Sequence, residues 1–221
     1  MVATLIFLFS FFSSPSLAGT WTQIDHQTVY LKGEILSDEW NRFIEIDRTQ
    51  LKTLVVDSGG GDVEATLRIA QALRPIGYTI IVERICASSC ANYLFTAAKE
   101  KWIREGVVGY HGNVRACVEN GVFRKQLEEM STPEATIEKL LAEMQKLSLK
   151  ESLFLEEIGV SPKLFDLSCT ADKGAGDGQI YDLLLPSREN FRLYGIKNVK
   201  GQQSLKIVEE LRKAGHTVLI Q

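Results

Sequence analysis

Residues 51–62 read LKTLVVDSGGGD, an apolar run that climbs from Leu51 to Val56 and stops at Asp57 and Ser58, before Gly59, Gly60, Gly61 and Asp62. A short continuous apolar run of this kind fits a strand buried on both faces, as in a parallel sheet. The glycines mark a sharp turn. From Val63 the apolar residues Val63, Leu67, Ile69, Ala70 and Leu73 recur at helical spacing until Pro75, and Asp62 stands where it caps that helix. The stretch is one β-turn-α unit.

The unit repeats downstream. Residues 78–82 (YTIIV) read as a strand, 86–90 (CASSC) as a turn of small residues and 91–98 as a helix, and 107–111 (VVGYH) read as a further strand. Upstream, 28–35 (TVYLKGEI) alternates like a half-buried strand, and a polar amphipathic stretch follows over 38–46. Alternating strands and helices predict an α/β fold with a mainly parallel sheet and right-handed crossovers. Ser131, Pro133 and Glu134 open a long helix reaching Leu149, with Ile137, Leu140, Leu141, Met144 and Leu147 as its core stripe. Beyond it lie a glycine-rich loop (169–178), a short strand (181–185), a helix (205–214) and a last strand (217–220).

The 221 residues suit one domain with a sizeable core. A composition 45% hydrophobic and 24% charged, with net charge −3, belongs to a globular chain and signals no basic face for nucleic acid. Residues 1–18 (MVATLIFLFSFFSSPSLA) carry no charged side chain, run apolar from Leu5 to Phe12, and end in small residues after Pro15. That is the pattern of a signal peptide cleaved after Ala18, which leaves 19–221 as the single domain and places the mature chain in the periplasm or outside the cell. The alternative is an uncleaved N-terminal membrane anchor, although the run falls short of the roughly 20 residues that span a bilayer. Export also permits disulfides among Cys86, Cys90, Cys117 and Cys169. Their spacing matches neither a zinc ribbon nor a thioredoxin-type pair, so no metal or cofactor is expected. A Cys86–Cys90 bond would clamp the small-residue turn, and a Cys117–Cys169 bond would tie two loops together.

Three features follow one another at successive strand ends: the triple glycine, the turn with Ser88 and Ser89, and His111. In parallel α/β architecture such ends meet and form ligand sites. Acyl transfer needs a nucleophilic oxygen, an imidazole to take its proton, and backbone N–H groups for the developing oxyanion. Ser89 at a helix start fits the nucleophile, with Ser88 the weaker alternative and a thiol at Cys90 weaker still. Gly59, Gly60 and Gly61 let a substrate carbonyl approach the backbone closely. His26 and His216 lie outside this region, which leaves His111 as the base.

The succession LVVDSGGGDV, ASSCANYLFTAA and VGYHG, from residue 54 to residue 112, resembles the Clp protease proteolytic subunit and its crotonase-like relatives. The resemblance extends roughly from Thr28 to Val199, with Gly59 where the family turn has proline and Cys90 where methionine follows the nucleophile. It implies stacked ββα units, Ser89 as nucleophile, His111 as base, and the N–H groups of Gly61 and Cys90 as oxyanion donors. Tyr194, Gly195 and Ile196 match the ending of the family helix that follows its catalytic aspartate, which points to Asp182 rather than Asp166 or Asp177. The implied activity is hydrolysis of a peptide or other acyl substrate. Relatives form ring oligomers, so a homo-oligomer is a further expectation. An exported chain meets no ATP, hence no ATP-dependent unfoldase is expected, and coenzyme A chemistry is disfavoured for the same reason. Each feature also has a plainer role: Ser89 as a helix cap, the glycines as a tight turn, His111 as a packed strand-end residue, and the whole cleft as a silent module binding a peptide or partner.

Overall fold

The computed structural model describes residues 18–166 and 181–221. In chain order the elements are β1 (Thr20–Asp25), β2 (Thr28–Lys32), α1 (Glu39–Ile44), β3 (Thr53–Ser58), α2 (Val63–Leu73), β4 (Thr79–Ala87), a π-helical segment (Cys90–Phe95), β5 (Glu100–Ile103) and β6 (Val107–Gly109). There follow α3 (Val114–Glu119), α4 (Val122–Glu129), α5 (Glu134–Glu157), β7 (Leu183–Leu185), α6 (Arg188–Leu193), β8 (Val199–Gly201), α7 (Leu205–Lys213) and β9 (Val218–Ile220). The fold is mixed α/β. Its main sheet runs β1-β2-β3-β4-β5-β8, with β6 on β4. Only β1 pairs antiparallel, and every other pairing in this sheet is parallel. A separate parallel pair joins β7 to β9.

β4 forks the sheet. Its first half, Thr79 to Val82, pairs with β5, and its second, Ile85 to Ala87, pairs with β6. The register against β3 slips between Val56 and Ser58 as β4 bends from one neighbour to the other. The sequence ends this strand at Val82 because Glu83 and Arg84 interrupt the apolar run; both are exposed where the strand bends, and strand geometry continues to Ala87. The turn read over 86–90 is therefore two strand residues, Cys86 and Ala87, followed by a tight corner at Ser88 and Ser89.

The main core fills the space between the sheet and the helical layer of α2, the π-helical segment and the end of α5. On β3, Leu54 and Val56 are completely buried whereas Val55 is half-buried, which corrects the expectation of a strand enclosed on both faces. Helices cover one face, while Tyr30, Val55, Ile81 and Trp102 stand in register on the other, partly open one. α5 is displaced from its predicted span: it begins after Pro133 and continues to Glu157. Of the predicted stripe only Ile137 is buried; Leu140, Leu141, Met144 and Leu147 are half-buried. The firm anchorage comes later, at Glu151, Phe154 and Leu155.

A second apolar cluster joins Ile85, Ala87 and Val107 to Leu183, Leu185, Ile207, Val208, Leu211 and Val218. It seats α7 and the β7–β9 pair against the far ends of β4 and β6. β1, β5, β8, α3, α4 and α6 are elements that periodicity alone leaves unread. Among the described residues no helix is long and apolar enough to cross a membrane. The leader reading falls outside the described residues except for Ala18, which bridges Glu34.

Candidate active site

The glycine turn is built by sterics. Gly60 has φ +94° and Gly61 φ +144°, conformations that favour glycine. A Cβ on Gly61 would lie 2.1 Å from the carbonyl oxygen of Ile35; one on Gly60 would lie 2.6 Å from that of Ala87 and 2.8 Å from both Ser88 Cβ and Ser89 N. The first turn is thus pressed against the second. Ser58 fixes it, donating its hydroxyl to Gly33 O (2.6 Å) and accepting from Gly60 N (3.1 Å). Asp62 Oδ1 accepts from Ala65 N at 2.8 Å, the N-cap the sequence points to.

Cys86 and Cys90 form a disulfide with Cα atoms 5.3 Å apart, closing a loop around the two serines. Within it the serines differ. Ser88 is left-handed (φ +54°), half-buried, with its N–H donated to Gly109 O (3.0 Å) and its carbonyl accepting from Asn92 N (2.8 Å). Ser89 is right-handed, only 1% exposed, and its Oγ lies 3.1 Å from Thr66 Oγ1 of α2. Cys117 is also disulfide-bonded, while Cys169, its candidate partner, lies outside the described residues.

β6 delivers His111. After Gly109, Tyr110 bridges Leu184 antiparallel, which brings the start of β7 beside the end of β6. His111 then lines a small apolar cleft with Gly59, Ile85, Ala87, Leu183, Leu211 and His216. Burial pushes its pKa below the ordinary 6.5, and the nearby charge of Asp182 pulls the other way. Asp182 is fixed by Thr217 N, which donates to Oδ2 at 2.8 Å, and His216 Nδ1 stands 3.8 Å from the same oxygen. Asp182 thus acts by its charge on His111 and stands beside His216, and the two imidazoles line one cleft.

The loop after His111 is tied from two sides. Asn92 Nδ2 donates to Gly112 O at 2.9 Å. Glu151, fully buried on α5, accepts from Arg115 N (2.9 Å) and from the hydroxyl of Tyr93. Burial raises the Glu151 pKa, with both hydrogen bonds opposing that shift.

The glycine turn, the serine corner and His111 accordingly sit at one end of the sheet, with Asp182 near enough to act on His111 by its charge. In the sequence His216 lies outside the motif region. The structure brings it to the site through the pairing of β9 with β7, a contact between distant segments that local periodicity does not report. Asp166 is elsewhere, paired with Arg115 at 2.8 Å, and Asp177 lies outside the described residues. His26 is exposed. Among the described residues no three His, Cys, Asp or Glu side chains are grouped to hold a metal ion.

No family model matches the chain, and no curated protein matches it. Among solved structures, one that matches is a dehydratase/decarboxylase enzyme couple involved in polyketide beta-branching, at 13% identity over 67% of this chain and 94% of that one, with a TM-score of 0.29. A likeness that loose carries no argument about fold or activity; the mixed α/β architecture with its mostly parallel sheet stands on the strand pairing itself.

Proposed function

We propose that the chain is an exported serine hydrolase of crotonase-like, Clp-protease-like build, acting on a peptide or other acyl substrate. One observation carries the reading: a corner with two serines, clamped by a disulfide, is packed on a glycine turn, and Gly59, Ala87 and His111 line one cleft. In this reading a serine Oγ of the corner, Ser89 by the family resemblance, bonds to the acyl carbon while its proton passes to His111. Backbone N–H groups of Gly61 and Cys90 receive the oxyanion. His111 then protonates the leaving group as the carbon–leaving-group bond breaks, and water repeats the sequence to release the acid. Asp182 orients His111 and stabilises its charged form.

The chemistry uses no cofactor or metal. Export to the periplasm or beyond is part of the proposal, in keeping with the disulfides, as is a homo-oligomer. One observation favours a second reading, a silent cleft that binds a peptide or partner: the Ser89 hydroxyl is buried against Thr66.

Labelling with a fluorophosphonate separates the two. The Oγ–P bond forms as fluoride leaves, and His111 takes the proton. Wild type is expected to label, and His111→Ala to label at least a hundredfold more slowly. A folded wild-type protein that takes up no label would leave the binding cleft as the function.

A further inference from the structure

We infer that Ser88, not Ser89, is the attacking residue; the inference rests on the hydrolase reading and sharpens it. Three independent features of the corner agree.

The backbone comes first. Ser88 is one of three residues other than glycine with positive φ among those described. A left-handed serine persists where its surroundings over-determine it, and such strain gathers at functional sites. Here the disulfide closes the corner, Gly109 O takes the Ser88 N–H, and Asn92 N holds its carbonyl. A sharp, strained strand-to-helix turn of this kind lifts the residue at its apex out of the layer, so that an Oγ there is open to substrate.

Proton accounting comes second. Thr66 has one hydroxyl proton, and its Oγ1 lies 2.5 Å from Asp62 O and 3.1 Å from Ser89 Oγ. The shorter contact claims that proton, so Ser89 gives its own proton to Thr66. Ser89 is therefore a tie between the corner and α2. Its hydroxyl is spent inside the protein, whereas Ser88 is half-buried and reachable.

The third feature is the bareness of Gly60. Space there is taken by Ser88 Cβ and Ser89 N, each 2.8 Å from where a Cβ would stand. Ser88 therefore faces the glycine turn, and the N–H after the attacking residue becomes that of Ser89, already beside that turn. The oxyanion donors move one place along, to Gly61 and Ser89 rather than Gly61 and Cys90. In turnover the Ser88 Oγ–C bond forms, His111 receives the Ser88 proton and delivers it to the leaving group, and water later restores the hydroxyl.

The test is to label the full, disulfide-intact chain with a fluorophosphonate and locate the adduct by fragmentation mass spectrometry, alongside Ser88→Gly and Ser89→Ala. Glycine accepts φ +54° without strain, so Ser88→Gly is expected to fold with a Tm a few degrees higher and to lose labelling at least a hundredfold. Ser89→Ala loosens the tie to Thr66, slows labelling less than tenfold and leaves the adduct on Ser88. An adduct on Ser89, or undiminished labelling of Ser88→Gly, overturns the assignment while the hydrolase stands. No label on folded wild type removes both.

Discussion

In the proposed hydrolase, the protonation of His111 decides what the site can do. Burial lowers its pKa from 6.5, which leaves the imidazole neutral and able to accept a proton at neutral pH. Asp182 opposes that shift by favouring the charged form, and His216 Nδ1 stands 3.8 Å from the same carboxylate. Two effects of Asp182→Asn follow. Loss of the carboxylate charge moves the acid limb of the labelling rate to lower pH. Loss of its support for the imidazolium slows labelling at pH 7 about tenfold or more. Rates measured from pH 4 to 8 check both, and an acid limb that stays in place would show that Asp182 does not act on His111.

At the scale of elements, the decisive junction is the passage from β4 to the π-helical segment. The disulfide spans it with a closed loop of five residues, Cys86 to Cys90, worth about 2 kcal/mol by chain entropy alone. Replacing both cysteines by alanine is expected to lower stability in urea by at least that much, since both are completely buried. Labelling should fall with it as the left-handed corner relaxes. Full labelling in the double variant would show that the corner holds without its clamp.

The same junction shows what residue patterns reveal. LVVDSGGGD announces strand, turn and helix because a buried run, three glycines and a capping aspartate are local signals, each satisfied within a few residues. The end of β4 is not legible in that way: Glu83 and Arg84 look like a strand end, and only the parallel pairing with β6 carries the strand on to Ala87. Sequence pattern equally cannot tell Ser88 from Ser89, because their difference lies in φ and in a contact with Thr66 made across the core. The α5 stripe misleads for the opposite reason. Helical periodicity reports that a face is apolar, not how completely its neighbours cover it.

For the whole molecule, the site is the meeting of two cores. The main one positions β3, β4 and α2; the smaller one, with Ile207, Val208 and Leu211 of α7, closes the cleft from the C-terminal side. Glu151 lies deep in the first. Its pKa is raised by burial above the 4.5 of an ordinary glutamate, so the folded protein binds that proton more tightly than the unfolded chain does. Its contribution is fully present below pH 4.5 and is lost as pH rises through the raised value. Glu151→Gln keeps an acceptor for Arg115 N and can donate to Tyr93, and it removes this loss. Urea midpoints at pH 5 and pH 8 should therefore fall less with rising pH in the variant than in wild type. An equal fall in the two proteins would mean that Glu151 does not titrate on unfolding.

Asn92 belongs to both halves of the site: its N–H holds the carbonyl of Ser88, and its side-chain amide holds the carbonyl of Gly112 beside His111. The separation of serine corner and imidazole is therefore set across space by one residue, through its backbone and its side chain, not counted out along the chain between them. Insertions or deletions at the exposed bend between β5 and β6, Arg104 and Glu105, can accumulate as sequences drift without resetting that separation.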